Sequence, residues 1–248
     1  MIQHYFSKLN ELFIEVENNE KDNMILAANQ ISASIQNDGI VHIFGCGHSH
    51  ILAEEAFYRA GGLAPINPIF EESLMLHEGA TRSSNLEKQN GYADTFLEKH
   101  DIRKGDVIFV VSTSGRNPVP IDTCLFAKER GAFVIGITSV QYANSQASRH
   151  ISKKHLHDVV DLVIDNHSVS GDAILTHPRV PVSFTPTSTV IGTTILNAIL
   201  SEAIKLMVED GFEPPIFLSG NLENGSKHNQ ALIEKYENRI PLLTQNNK

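Results

Sequence analysis

The sequence predicts an α/β fold in which a parallel β-sheet lies between layers of helices. Short β-branched runs alternate along the chain with segments of helical periodicity, a pattern typical of βαβ units with right-handed crossovers. One run, DVIFVV at residues 106–111, is almost wholly apolar. A strand of this kind is buried on both faces, as parallel strands are.

The first half of the sequence contains segments of helical periodicity and two predicted strands. Apolar residues recur with helical spacing over residues 2–17 and again over 24–35, where an Asn-Asp-Gly sequence ends the pattern. The run IVHIF follows as the first strand, and GCGHSH forms the turn after it. ILAEEAFYRAGG then indicates a helix that ends at Gly61-Gly62. A strand near residues 65–70 and a helix around Tyr92–Lys99 complete this half.

The second half repeats the alternation of strand and helix. After DVIFVV, the turn STSG leads into a helix over residues 118–129, with Asn117 as its N-cap and Pro118 at its first position. AFVIGIT and DVVDLVID are predicted as further strands. A Gly- and Pro-punctuated stretch at 171–187 precedes the long apolar helix TSTVIGTTILNAILSEAIKLMVEDG, and the amphipathic helix NQALIEKYENR comes last.

Composition narrows the class of protein. The chain has 248 residues and a formal net charge of −9, which argues against nucleic-acid binding because that function needs clustered Lys and Arg. Cys46 and Cys124 form neither a disulfide framework nor a metal-binding pair, as expected in the reducing cytoplasm. The acidic, amphipathic N-terminus does not resemble a signal peptide, and no apolar run has the length of a membrane span. We therefore expect a cytoplasmic protein with no nucleic-acid or membrane partner.

Two loops indicate a phosphate site. GCGHSH and STSGRNP each follow a buried strand and precede a helix, so both belong at the carboxyl edge of the sheet, where ligands of such folds bind. Glycine amides, short hydroxyls and a helix N-terminus are the groups that hold phosphate. The alternative is that these are ordinary turn residues. A dinucleotide fingerprint is disfavoured because His50 stands where its third glycine belongs, and the lysine of a nucleotide P-loop is absent.

GCGHSH, STSGRNP and the later TPTSTVIGTTI resemble the three landmarks of the SIS (sugar isomerase) family. The resemblance covers roughly residues 20–210. It implies a flavodoxin-like three-layer sandwich with a five-stranded parallel sheet, extra terminal helices, a phosphorylated sugar as ligand, and a homodimer or larger homo-oligomer. We expect one SIS domain over residues 1–248, with an N-terminal helical arm at 1–37 and a C-terminal helix at about 223–240. The implied ligand-binding residues are Gly47, His48, Ser49, Ser112, Thr113, Ser114 and Asn117.

The candidate acids and bases are Glu72, His77 and Glu55. Glu55 follows the first loop on its helix, and the segment FEESLMLHEG holds Glu72 and His77. This segment is similar to one in the isomerase domain of glucosamine-6-phosphate synthase, which implies that His77 assists ring opening and favours Glu72 as the carboxylate. Each of the three could instead be a solvated surface group. The catalytic glutamate of phosphoheptose isomerases would fall near Arg59 here, and the late helix segment VIGTTILNAIL contains no histidine.

The predicted function is a cofactor-free aldose–ketose isomerase of a sugar phosphate, acting through an enediol. A lyase or etherase of amino-sugar phosphates and a non-catalytic phosphosugar sensor are the alternatives. Neither a cofactor nor a metal is expected. His150, His155 and His157 lack a recognised metal-ligand spacing, and we interpret the stretch SRHISKKHLHD as a surface loop; the alternative is that it lines the sugar pocket.

Overall fold

A five-stranded parallel sheet with the strand order β2-β1-β3-β4-β5 forms the centre of the molecule. The computed structural model describes residues 1–221 and 225–244. The strands are β1 (Val41–Gly45), β2 (Ile66–Ile69), β3 (Val107–Val111), β4 (Phe133–Thr138) and β5 (Leu162–Asp165). Every neighbouring pair is parallel, which confirms the predicted fold class. Pro68 is tolerated in β2 because that strand lies at the edge of the sheet.

Helices cover both faces of the sheet. Val107, Phe109 and Val111 of β3 belong to one apolar core, while Ile108 and Val110 belong to the other, as the alternation of side chains in a strand requires. The first core is covered by α1 (Ile2–Gln36), α2 (Ile51–Ala56) and α7 (Ser188–Glu209). The second is covered by α4 (Asp94–Leu97) and α5 (Pro118–Glu129). Two further helices, α3 (Ala80–Leu86) and α6 (Val140–Asn144), are short.

The two helical patterns at the start of the chain form one continuous helix. The polar residues 17–23 between them contain neither glycine nor proline, so nothing interrupts the backbone hydrogen bonds of α1. Glu20 within this joint is buried, and its Oε1 lies 3.5 Å from Nε2 of His167, the second residue after β5. With 35 residues, α1 is about 52 Å long at 1.5 Å per residue.

The helix after the first loop is shorter than predicted. It ends at Ala56 instead of Gly61-Gly62, and Phe57 is already extended. The chain leaves the helix because Gly61 donates its N–H to the carbonyl of Phe217, and Tyr58 packs edge-on against the same residue, with 5.1 Å between ring centroids. A segment distant in sequence therefore decides where this helix ends.

The Gly- and Pro-punctuated stretch at 171–187, for which no element was predicted, contains a hairpin. Strands β6 (Leu175–His177) and β7 (Val180–Phe184) pair antiparallel apart from the main sheet. Pro181 is compatible with β7 because the strand has a neighbour on one side only. Val182 is 66% exposed at the surface of this hairpin.

The C-terminal helix α8 (Gly225–Tyr236) packs beside the amino ends of the strands. The start predicted for it, at about residue 223, lies outside the described residues. Tyr236 and Ile240 share a small apolar cluster with Ile40, which immediately precedes β1. Just beyond α8, Arg239 donates from Nη2 to Oδ2 of Asp106 at 2.7 Å, so this segment is tied to the sheet.

Helix α7 is long and apolar enough to cross a membrane by length and composition alone. Ile195, Ile199 and Ala203 on one of its faces are fully buried in the first core. This buried face accounts for part of the apolar composition, and the core helix of a globular protein passes the same test.

Candidate functional site

The two glycine- and serine-containing loops lie side by side. β1 and β3 are adjacent in register, with Gly45 opposite Val111, so the residues that follow each strand emerge together at the carboxyl edge. The direction in which successive strands are added to the sheet also reverses here, because β2 lies on one side of β1 and β3 lies on the other. Such a switch point is where open parallel sheets bind ligands.

The first loop turns so tightly that glycine is required. A Cβ on Gly45 would stand 2.6 Å from the carbonyl carbon of Ser49, and Gly47 has a φ of +55°. A 3-10 turn over Gly47–His50 begins there, with the Ser49 N–H donating to the Cys46 carbonyl at 3.0 Å. Ser49 is half-buried and His48 is exposed. The turn therefore brings the backbone and the Ser49 hydroxyl to the edge of the sheet.

The second loop keeps two amides available for a ligand. The N–H of Ser112 bonds to Ile137, and the N–H of Gly115 bonds to Ser112. Across residues 1–221 and 225–244, no acceptor faces the amides of Thr113 and Ser114. The hydroxyls of Ser49, Ser112 and Ser114 are likewise without protein partners in that part of the chain. These are the donors that a phosphate dianion needs.

The conformation of the second loop is fixed by contacts with residues on its inner side. Gly115 has a φ of +56°, and a Cβ on it would lie 2.7 Å from Oγ1 of Thr138. Its carbonyl accepts the Leu156 N–H at 2.8 Å, and the carbonyl of Thr113 accepts the Ser139 N–H at 3.0 Å. The loop carbonyls therefore point into the protein, which leaves the free amides on the other side.

The start of α5 agrees with the prediction in its first residue but differs from it in the role of the Asn117 side chain. The helix begins at Pro118 as predicted, but Pro118 and Pro120 have no N–H, and Val119 donates its own to the carbonyl of Glu87 at 3.3 Å. The Asn117 side chain makes no capping bond either. Its Nδ2 donates to Oε1 of Glu87 at 2.8 Å, and its Oδ1 accepts from Nη1 of Arg149 at 2.7 Å. The loop amides, and not the first turn of the helix, are the donors left for an anion.

Two arginines flank this loop without carboxylate partners in the described part of the chain. Arg116 donates from Nε to the Ala147 carbonyl at 3.0 Å, and Arg149 contacts Asn117 as described above. Both side chains hold residues 145–149 against the loop. In a protein with a net charge of −9, they provide a local positive potential beside the free amides.

The three predicted catalytic residues are not gathered at one point. Glu55 forms an ion pair with Arg59 and accepts from Nδ2 of Asn197 on α7 at 3.2 Å. Glu72 is exposed and lines a cavity of about 430 Å³ beside β2, together with Lys99 and Arg239. The His77 side chain is 65% exposed, and its Nε2 lies 3.9 Å from the Glu78 carboxylate.

The structure places two further titratable sites near the loops: the pair of His50 and Glu54, and Glu87. His50 donates from Nδ1 to the Gly47 carbonyl, and its Nε2 lies 3.0 Å from Oε1 of Glu54. Glu87, just after α3, contacts Asn117 of the second loop. Burial raises the pKa of the Glu87 carboxyl, and the hydrogen bond from Asn117 only partly offsets this. The motif of Glu54 and His50 four residues apart was visible in the sequence, but nothing local points to Glu87.

The histidine-rich stretch serves mainly to hold its own loop. His150, predicted at the surface, is buried, with Nε2 at 2.7 Å from Oδ1 of Asp122 on α5. Ligand atoms of His155, His157 and Asp158 lie within 4.8 Å of one another, a spacing that could hold a metal ion. However, His155 Nε2 already bonds to the Gln146 carbonyl, and the Asp158 carboxylate accepts the His155 N–H at 2.7 Å. These groups are used to build the turn before β5.

Comparison with known proteins identifies the class. A family model described as the SIS domain matches residues 4–139. The chain therefore belongs to the SIS-domain family. Among its relatives are UPF0309 proteins of Geobacillus kaustophilus, 62% identical over 245 residues (99% of this chain, 98% of the relative), and of Listeria innocua, 57% identical over 246 residues (99% and 100%).

Solved structures show the same fold at low sequence identity. The phosphoheptose isomerase of Francisella tularensis matches with a TM-score of 0.54 and 15% identity, covering 82% of this chain and 96% of that one. The sugar isomerase domain of an RpiR transcription factor from Sphaerobacter thermophilus matches with a TM-score of 0.52 and 13% identity, covering 96% and 98%. At these identities the likeness concerns architecture alone.

Proposed function

We propose that this protein binds a phosphorylated sugar at the paired loops and interconverts its aldose and ketose forms. The observation that carries the proposal is a set of donors at the switch point that have no protein partner within residues 1–221 and 225–244: the amides of Thr113 and Ser114 and the hydroxyls of Ser49, Ser112 and Ser114. Gly47 and His48 complete the first loop, and Asn117 contributes through its backbone because its side chain is already bonded. The chain acts as a single SIS domain.

Isomerisation is the leading reaction because it needs only proton transfer and no redox cofactor. His77, Glu72 and Glu55 remain the predicted acid/base residues. His77 follows Leu76, whose Cδ2 lies 3.8 Å from the position of a Cβ on Gly47, so its segment borders the first loop. Removal of a substituent from an amino-sugar phosphate is the second candidate, and ligand sensing the third.

The phosphate assignment is tested with Ser114→Ala. Binding of fructose 6-phosphate, sedoheptulose 7-phosphate and glucosamine 6-phosphate is measured by thermal shift and calorimetry, alongside the unphosphorylated sugars. We expect binding of at least one phosphate ester and a loss of about tenfold or more in the variant, because a hydrogen bond to a charged group contributes about 1.5–3 kcal/mol. Ser201→Ala, whose hydroxyl bonds only to the Asn197 carbonyl in its own helix, is the control.

The same experiment distinguishes the three functions. Magnetic resonance spectra of the best binder after incubation show a new sugar isomer for an isomerase, a released substituent for a lyase, and no change for a sensor. Binding that is equal in Ser114→Ala and wild type would remove the phosphate site from these loops.

We also propose that the protein is a homodimer in which α1 and α7 of the two copies pack together. A groove of about 620 Å³ runs between these helices, with Phe13, Met24, Ile25, Ile195 and Ala198 in its floor and walls. Its rim carries both signs of charge, from Glu17, Lys21, Glu202 and Lys205. A patch with apolar centre and mixed rim can pair with itself across a two-fold axis.

A cytoplasmic location belongs to the proposal as well. The structure describes both cysteines as free and buried, which suits a reducing compartment. The proposed partner is a sugar phosphate. We propose neither a nucleic acid nor a membrane surface as a partner.

A further inference from the structure

We propose that Glu87 is the carboxyl group that transfers protons to and from the bound sugar phosphate. The inference rests on the proposed function, since it assigns a role within the same site. It adds a fourth candidate to the three acid/base residues expected from the sequence.

Glu87 lies between the two loops. It is the residue that follows α3, and its Oε1 accepts a hydrogen bond from Asn117 of the second loop at 2.8 Å. Its carbonyl accepts the N–H of Val119 at 3.3 Å, which fixes the backbone against the start of α5. Leu86, the residue before Glu87, packs against the apolar cluster that contains Cys46 of the first loop, and burial together with the Glu87 charge raises the pKa of that thiol. One side chain thus touches the second loop and acts electrostatically on the first.

The carboxyl has an oxygen to spare. Oε1 is held by Asn117, whereas Oε2 has no hydrogen-bond partner in residues 1–221 and 225–244. A group positioned through one oxygen and free at the other is suited to accept a proton from a ligand. The bond to Asn117 also restricts the side chain to one orientation.

The surroundings favour a carboxyl that can change its protonation state. Burial raises the Glu87 pKa, while the Asn117 hydrogen bond and the charges of Lys88 and Arg149 oppose that rise without cancelling it. No cation in the described residues forms an ion pair with it. Glu55 differs, because it forms an ion pair with Arg59. A raised pKa brings a carboxyl closer to the neutral range in which general acid/base catalysis is efficient.

A purely structural role would not explain the choice of residue. Glutamine would accept the same hydrogen bond from Asn117 and would avoid the cost of burying a charge. The charge is therefore retained at a cost in stability, a situation common at functional sites.

The step that follows is an enolisation. The Glu87 carboxylate removes the proton from the carbon beside the open-chain carbonyl. The electron pair of that C–H bond forms the C=C bond of an enediol, while the carbonyl π pair moves to its oxygen, which takes up a proton. The Glu87 carboxylic acid then returns its proton to the neighbouring carbon, which bonds to it through the C=C electron pair. The hydroxyl on the first carbon releases its proton to water, the source of the proton on the former carbonyl oxygen, and its O–H pair forms the new C=O bond. Atoms and electrons balance without any oxidant or reductant.

The test uses Glu87→Gln, which keeps the size of the side chain and the acceptor for Asn117. Wild type and variant are incubated in D₂O with fructose 6-phosphate, sedoheptulose 7-phosphate and glucosamine 6-phosphate, and exchange of carbon-bound hydrogen is followed by magnetic resonance. Binding of the same sugars is measured by calorimetry. We expect exchange to fall by about 10²-fold or more with binding changed by less than about threefold. Glu129→Gln, an exposed position on α5, is the matched control and exchanges like wild type.

Each outcome bears on a different assignment. Binding in the wild type with exchange that survives in Glu87→Gln overturns the role of Glu87 and leaves the phosphate site in place. Binding without exchange in the wild type also overturns it and supports a sensor. A wild type that binds none of the three esters overturns the proposed function, and the role of Glu87 with it.

Discussion

At the scale of single residues, the phosphate loops depend on positions where only glycine fits. Gly45 is fixed by the close approach of Ser49, whereas Gly115 combines a left-handed backbone with a near contact to Thr138. These two constraints shape neighbouring loops for different reasons. As a consequence, the backbone conformation of the second loop orients the N–H groups of Thr113 and Ser114 towards a ligand, and no side chain is needed to do so.

Replacing Gly115 with alanine tests this dependence. Gly211, after α7, has a φ of +77° with nothing within 4 Å of an added Cβ, so Gly211→Ala incurs only the conformational cost, about 1 kcal/mol. Gly115→Ala adds an overlap with Thr138, and we expect a loss of about 2 kcal/mol or more. Urea unfolding measures both variants. Gly115→Ala should also lose sugar-phosphate binding, and equal stabilities of the two variants would contradict the close contact.

At the scale of elements, the C-terminal segment is fastened to the amino ends of β1 and β3 through a buried carboxylate. Asp106 is 1% exposed and accepts from the Ile40 N–H at 2.9 Å, from His42 Nε2 at 3.2 Å and from Arg239 Nη2 at 2.7 Å. Burial alone would raise the pKa of Asp106. The hydrogen bonds from His42, Ile40 and Arg239 outweigh it and lower the pKa to about 2.

A depressed carboxyl pKa gives the sign of the pH dependence. Asp106 stabilises the fold above its unfolded-state pKa, and this stabilisation is lost as the pH falls towards 2. Its contribution is about 2 kcal/mol at pH 6 and about 1 kcal/mol less at pH 3. The unfolding free energies of wild type and Asp106→Asn, measured in urea at both values, should therefore differ by about 1 kcal/mol less at pH 3. A difference that does not change with pH would contradict an ionised, hydrogen-bonded Asp106.

At the scale of the whole molecule, the α1–α7 groove is the feature that a single chain leaves uncovered. Both helices bury one face in the first core, and the groove extends that apolar surface to the exterior.

Adjacent residues on α1 allow a matched test of the homodimer. Ile25 is 36% exposed and lines the groove, while Leu26 is 54% exposed and lies outside it. We expect Ile25→Glu to elute as a monomer in size-exclusion chromatography with light scattering, because a charge would be buried at the interface. Leu26→Glu should remain dimeric like the wild type. Dissociation of both variants, or of neither, would place the interface elsewhere.

The sequence by itself determined the parallel sheet, the succession of strands and helices along the chain and the two loops. These signals are local: β-branched runs, helical periodicity, and glycines beside short hydroxyls are legible within a few residues. The family resemblance rests on the same short motifs. The sequence could not fix the end of α2, because that depends on Phe217, which lies far away in the chain.

Only the tertiary structure decided which acid groups stand beside the loops. Glu87 meets Asn117 across 30 positions of sequence, and that meeting depends on how α3 returns to the sheet. The Asn117 side chain is used in the same contact, and the N–H of Val119, between the two prolines that begin α5, donates to the Glu87 carbonyl. Periodicity shows which face of an element is buried, but it does not show which polar side chain from another segment will meet it there.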